Sequence, residues 1–241
     1  MTVQLVLLAL GVLTAALTQR ITGIGFALVC APLLVLIAGP FQGVILANLL
    51  SLTVNLIVFA STWRDTEWVK GLLLVVPALL TVPLGAVVAR TMPPAPLMVV
   101  IGLLVILALG AVVLSPRARV LRGRRGAVGA GAASGFMNVT AGVGGPAIVL
   151  YAVSTDWEHR RFVATFQFYS IFVNLISLLA KGGLPNVSAV ALVVSGVALV
   201  VGLACGQALA RRVDPTLARH AAIGLALAGS VFTLVKGVLA W

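Results

Sequence analysis

The sequence predicts an all-α polytopic membrane protein with about eight transmembrane helices in two repeats of inverted orientation. Three observations carry this. Of 241 residues, 61% are apolar and only 9% are charged, with a mean hydropathy of +1.21. A soluble domain holds about 25% charged residues, so a single globule in water could not cover this much apolar surface. Apolar runs long enough to cross a bilayer recur along the whole chain. Two of those runs are interrupted by glycine-rich breaks that lie 119 positions apart. Two Cys, 11 Pro and no regular glycine repeat leave no disulfide scaffold, disordered chain or collagen to consider.

Six uninterrupted spans fall near 42–62, 69–89, 96–114, 162–180, 187–209 and 217–240. The stretches 2–38 and 126–153 are the interrupted ones, with broken or re-entrant helices expected near 19–25 and 139–146. Trp63, Trp68, Trp157 and Trp241 all sit at span ends, the position of an interfacial aromatic belt. Met1-Thr-Val-Gln lacks the basic start of a signal peptide, so the first apolar run is expected to remain in the mature protein. Cys30 and Cys205 lie in apolar segments and read as small hydrophobes.

The net charge of +11 comes from short basic clusters between spans, which is how orientation signals are placed. No nucleic-acid partner is expected from it. If each interrupted stretch crosses once, the basic residues divide almost evenly between the two faces. If each goes in and returns as a hairpin, one face collects Arg64, Lys70, the arginines of 117–125, Arg160, Arg161, Arg211, Arg212 and Arg219. The other face then holds only Arg90, Lys181 and Lys236. The positive-inside rule selects the hairpins and places both termini outside.

At an offset of 119, Gly23-Ile24-Gly25 falls on Gly142-Val143-Gly144, Asn48 on Gln167, Ser51 on Ser170 and Asn55 on Asn174. Slipped by two, Gly85, Ala89, Arg90 and Pro94 fall on Gly206, Ala210, Arg211 and Pro215. The chain therefore divides into a first repeat over 1–115, a basic cytoplasmic linker over 116–125 and a second repeat over 126–241. A hairpin plus three spans is an odd number of crossings, so the second copy enters from the opposite face. Inverted repeats with broken helices meeting near the midplane are a secondary-transporter architecture.

Irregular backbone cannot face lipid, so each break must be buried in protein or line a wet cavity. Gly23, Gly25, Gly142, Gly144 and Gly145 permit close backbone approach, and Pro146 suits the first turn of a returning helix. Helices starting near Phe26 and Pro146 would aim their N-terminal N–H groups into the protein, where about half a positive charge attracts anions. Tight helix packing by small residues is the competing use of the same glycines. Asn48, Ser51 and Asn55 share one helix face, and Gln167, Ser170 and Asn174 reproduce it. These six residues suit either a polar pathway or interhelical hydrogen bonds. Asn138 and Thr140 beside the second break, with Gln19 and Thr22 beside the first, are similar candidates. Arg20 suits either the fixed cation of an anion site or the basic cytoplasmic tip of a hairpin.

All five acids (Asp65, Glu67, Asp156, Glu158, Asp214) and both histidines (His159, His220) fall in loops or at span edges. A cation path lined by acids, a metal site and an embedded hydrolase all lack their residues; no cofactor and no enzyme activity is implied. The expected partners are a small anionic solute and the bilayer, and the pattern is compatible with a homo-oligomer.

Thr22-Gly-Ile-Gly-Phe-Ala-Leu-Val-Cys-Ala-Pro32 and Ser134-Gly-Phe-Met-Asn-Val-Thr-Ala-Gly-Val-Gly-Gly-Pro146, with Asn174 and the Gly206-to-Arg211 segment, resemble the TauE/SafE family of bacterial membrane proteins. The two halves of the resemblance cover nearly the whole chain. It implies about eight transmembrane helices, a plasma-membrane location, and transport of sulfite, sulfonates or related sulfur oxyanions. The first motif departs from the glycine-rich family pattern at Phe26-Ala27. Ion-coupled uptake of a sulfur-containing or carboxylate anion, and a non-transporting membrane scaffold, are the alternatives.

Overall fold

The computed structural model describes residues 2–22, 26–114, 121–209 and 215–241. Ten α-helices follow one another: α1 (Thr2–Thr22), α2 (Phe26–Ala38), α3 (Pro40–Thr62), α4 (Trp68–Thr91), α5 (Pro94–Leu114), α6 (Gly123–Ala141), α7 (Gly145–Ser154), α8 (His159–Ala180), α9 (Ala189–Leu209) and α10 (Pro215–Leu239). A single 3₁₀ turn, Trp63–Asp65, joins α3 to α4, and no strand occurs among the described residues. All except α2 and α7 have 19 or more residues. At 1.5 Å per residue each of these reaches about 30 Å, the thickness of the hydrocarbon core. Seven of them are also apolar enough to cross a membrane; α6, rich in Gly, Ala and Arg, is not.

The two interrupted stretches fold as antiparallel helix pairs with one long and one short arm. A Cβ on Gly11 of α1 would lie 3.4 Å from Leu33 of α2, and the Phe26 N–H donates to Gln19 Oε1 at 2.9 Å, so the chain reverses between them. Likewise Ser134 Oγ of α6 donates to Gly144 O at 2.7 Å, and Arg122 Nε reaches Ser154 O at 3.3 Å at the far end of α7. The breaks are shorter than the sequence suggests. Helix α1 continues through Gln19 and Arg20 to Thr22, and α6 continues through Asn138 and Thr140 to Ala141. Gly142 then ends α6 in the left-handed conformation (φ 73°), its N–H returning to Asn138 O at 2.9 Å. Glycine adopts that conformation without the Cβ clash an L-residue meets, which is why the helix stops there and not four residues earlier. Pro146 occupies the first turn of α7, where its missing N–H costs nothing. Gly23 and Gly25 lie outside the described residues, as do Arg211, Arg212 and Asp214.

The two halves pack in a reciprocal way. Helix α1 packs on α9, and α4 packs on α6. Gly206 of α9 faces Leu17 and Arg20 of α1, and Gly85 of α4 faces Phe136 and Val139 of α6. Each of these neighbours differs from its counterpart by 119 positions. One turn earlier, Gly202 faces Leu13 and Ala16, while Thr81 contacts Gly135 and donates to Ala132 O at 2.7 Å. Both pairs run parallel, because contact positions increase together. Helices α5 and α10 run antiparallel: Gly102 faces Ser230 and Leu234, and Gly237 faces Ala95 and Met98. Helices α3 and α8 are antiparallel too, with Phe41 beside Lys181 at one end and Phe59 stacked near Phe168 at 6.2 Å toward the other.

Large apolar side chains point outward along whole helices, as Leu72, Val76, Leu80, Leu84 and Val87 do on α4. Water would not tolerate such a stripe; hydrocarbon does. The chain is a multi-pass membrane protein. At one end, between α3, α4 and α8, Arg160 pairs with Asp65 at 2.8 Å, Lys70 with Glu67 at 2.7 Å and Arg161 with Glu158 at 3.0 Å. Trp157 Nε1 donates to Glu67 Oε1 at 2.9 Å and lies beneath Lys70 Nζ, 4.6 Å from its ring. Burial raises the Glu67 carboxyl, but hydrogen bonds from Lys70 and Trp157 and the charges of Lys70 and Arg161 outweigh it and leave the pKa below the ordinary glutamate range.

Candidate functional site

Helices α3 and α8 pack together with their polar faces on a shared space. Ser51 and Asn55 from α3 and Ser170 and Asn174 from α8 line one internal cavity of about 40 Å³. Ser134 and Asn138 of α6, with Tyr169, Phe166 and Val173 of α8, complete its wall. The remaining lining comes from both interrupted stretches: Gln19 and Phe26–Leu28 from the first, Gly144 and Gly145 from the second. Such a space takes a few water-sized groups, which is the scale of a small oxyanion.

Two helix N-termini therefore open on the same small cavity. The first N–H of α2, at Phe26, is taken by Gln19 Oε1. The N-terminus of α7 receives no side-chain cap, leaving its amides for whatever enters. Each end carries about half a positive charge. Asn138 Nδ2 donates to Asn174 Oδ1 at 3.1 Å and to Ser177 Oγ at 3.2 Å, fastening the last turn of α6 to α8. Asn48 is fully buried one turn from Ser51, and its Oδ1 and Nδ2 have no hydrogen-bond partner among the described residues; Ser51 Oγ has none either. Buried polar atoms left in this state cost about 1–3 kcal/mol each unless a solute or water satisfies them.

Of the residues singled out from sequence, the cavity brings together Gln19, Ser51, Asn55, Asn138, Gly144, Gly145, Ser170 and Asn174. Gln167 is fully buried on α8 one turn before Ser170 and does not line the cavity. Thr140 turns back to its own helix, Oγ1 donating to Phe136 O at 2.6 Å. Gly142 sits against Ala31 and Ala47 and acts as the helix stop. Arg20 does not line the cavity: its guanidinium donates to Gln207 Oε1 on the α1–α9 face. Ser134, Tyr169 and Ser177 were not singled out. Ser177 was legible as the next member of the Ser170–Asn174 stripe; Tyr169 and Ser134 had no periodic signal, since only the approach of α6 to α8 gives them their place.

The described acids, Asp65, Glu67, Asp156 and Glu158, all belong to the α3–α4 turn or the α7–α8 turn, at one end of α8. No acid lines the cavity. Donor-rich walls, two positive helix ends and no described carboxylate give the cavity a lining of hydrogen-bond donors and positive potential.

A family model described as sulfite exporter TauE/SafE matches residues 7–233. The chain belongs to the TauE/SafE family. No curated protein and no solved structure matches it. As a TauE/SafE member it is a membrane transporter, and the matched segment takes in both breaks and every residue of the cavity. At the opposite end of α8 from the acids, Lys181 of this TauE/SafE chain is only 5% exposed, and its Nζ has no hydrogen-bond partner among the described residues. Burial pushes its pKa down to about 7.

Proposed function

We propose that this protein is a secondary transporter or facilitator that exports a small sulfur oxyanion, such as sulfite or an organosulfonate, across the bacterial inner membrane. The observation that carries the reading is the convergence of the α2 and α7 N-termini with the polar faces of α3 and α8 on one acid-free cavity. The sulfur oxyanion is the solute class named by the family's description. An inside-negative potential drives anion export by about 2.3 kcal/mol per charge per 100 mV, so no proton relay is required. None of the acids that such a relay would use lines the cavity.

Two inverted repeats form the transporter, the first ending before the linker at 116–125. Supporting this are the parallel α1–α9 and α4–α6 pairs with their 119-offset neighbours, and the antiparallel α3–α8 and α5–α10 pairs, each joining equivalent helices. The excess of Lys and Arg on one face supports a cytoplasmic linker with both termini outside. Neither catalysis nor a cofactor has a role in this reading.

The test is uptake of radiolabelled sulfite into proteoliposomes under an inside-positive potential, with sulfate, taurine and acetate as competitors. Saturable, potential-driven flux that Gly144→Ala abolishes is the expected result. Folded protein that moves none of these anions would overturn the reading and leave a scaffold role.

A further inference from the structure

The polar stripe of α8 does not stop at the cavity. Gln167, Ser170, Asn174, Ser177 and Lys181 follow one another at helical spacing, and all five are buried. The stripe thus leads from the central cavity to an ammonium group about 10 Å further along the helix axis. Lys181 follows the last helical residue, Ala180, with its Nζ 5.8 Å from the centre of the Phe41 ring at the start of α3. No described side-chain carboxylate pairs with it. Asp65, Glu67, Asp156 and Glu158 belong to the turns at the other end of α8. Two described cations lie at this end: Arg90 at the end of α4, whose Nη2 lies 3.7 Å from a Cβ built on Gly182, and Lys236 of α10, whose Nζ lies 3.4 Å from Leu36 O.

A lysine buried this deeply without an acid or an acceptor is expensive, and replacing it with an apolar side chain would remove the expense. Chains seldom retain such a group at a membrane interface unless something visits it. We propose that Lys181 forms a second anion-binding subsite, at the Arg90 and Lys236 end of the pathway, where the solute passing along the α8 stripe supplies the missing counter-charge. This rests on the transport reading of the central cavity. The ligand class is the same small oxyanion, held at the cavity by neutral donors and helix ends and at Lys181 by a full charge. Phe41 beside the ammonium closes one side, so Lys181 acts as the charged step between the cavity and that mouth.

The experiment uses the purified full chain with sulfite as the probe. Acylation of Lys181 by a small amine-reactive reagent is followed by mass spectrometry with and without sulfite, alongside flux in proteoliposomes for the unaltered chain, Lys181→Met and Lys181→Arg. Expected are protection of Lys181 by sulfite, a KM raised about tenfold or more in Lys181→Met, and substantial recovery in Lys181→Arg, as loss of a charge-assisted contact predicts. Lys181→Met should also melt at a higher temperature than the unaltered chain and gain less stabilisation from sulfite. An unaltered KM in Lys181→Met, or acylation indifferent to sulfite in a chain that transports it, would overturn the subsite while leaving the central cavity intact. Absence of flux in the unaltered chain would instead overturn the transport reading on which the subsite rests. The protection assay needs no variant, so a misfolded substitution does not block the test.

Discussion

Asn138 and Asn174 join the second interrupted stretch to the central helix pair: Asn138 Nδ2 donates to Asn174 Oδ1 at 3.1 Å, and both residues are buried. The bond fixes the rim of the cavity, because Asn138 stands on the last turn of α6, four residues before the Gly142 stop. Asn174→Ala is expected to lower kcat/KM for sulfite about tenfold, equivalent to about 1.4 kcal/mol, with normal membrane levels. Asn138→Ala should cost a similar amount, and the double variant less than the sum, because both remove one shared contact. Initial-rate flux in proteoliposomes for the four chains of this cycle checks it. Strict additivity would separate the two residues.

Gly142 is held at φ 73°, and a Cβ there would lie 3.0 Å from Ala31 on the partner stretch. Gly142→Ala therefore combines left-handed strain of about 1–2 kcal/mol with a contact that must give way. Gly123 is also left-handed, at φ 64°, but nothing lies within 4 Å of its Cβ position. Melting in detergent should show Gly142→Ala less stable than Gly123→Ala, which carries the strain alone. Equal losses would mean that the Ala31 contact relaxes freely.

Much of this was legible in the sequence, for reasons that particular residues make plain. The spans follow from run length, and the return helices from Gly142 and Pro146, whose backbone preferences are local properties. Ser51, Asn55, Ser170 and Asn174 share a helix face by spacing alone, and they reach the cavity together. Arg20 is different. Whether it faces a site or a neighbour depends on where α9 packs, and Gln207, its acceptor, lies 187 positions away. Lys181 is different for the same reason. As a basic residue following a span it reads as an ordinary orientation signal, and only the packing of α3 against α8 buries it.

The Glu67 cluster sets a pH dependence. Its carboxyl pKa is held below the ordinary glutamate range in the folded protein, so the unfolded chain binds its proton more readily. The stabilisation is present in full above the unfolded value and is lost as pH falls through the lowered folded value. Melting temperature in detergent should therefore decline on acidification across and below the ordinary glutamate range. Glu67→Gln, which keeps an acceptor for Trp157 Nε1 but loses the charge facing Lys70, should flatten that decline. An identical pH profile in the variant would mean that the acid sensitivity does not arise at Glu67.

The matched glycines test whether the halves are equivalent in energy as well as in position. A Cβ on Gly206 would lie 2.8 Å from Arg20 Cβ, and one on Gly85 would clash with Val139 Cγ1. Alanine at either site is expected to push a helix pair apart and cost about 1–3 kcal/mol. Gly196, on the same helix as Gly206, has nothing within 4 Å of its Cβ position. Gly196→Ala should be neutral or stabilising by up to about 1 kcal/mol, since alanine lowers the entropy lost on forming the helix. Thermal melting in detergent of the three variants checks the order. Losses at Gly206 and Gly85 of similar size would make the α1–α9 and α4–α6 contacts energetic equivalents. A loss at one alone would mean that the other pair adjusts by sliding.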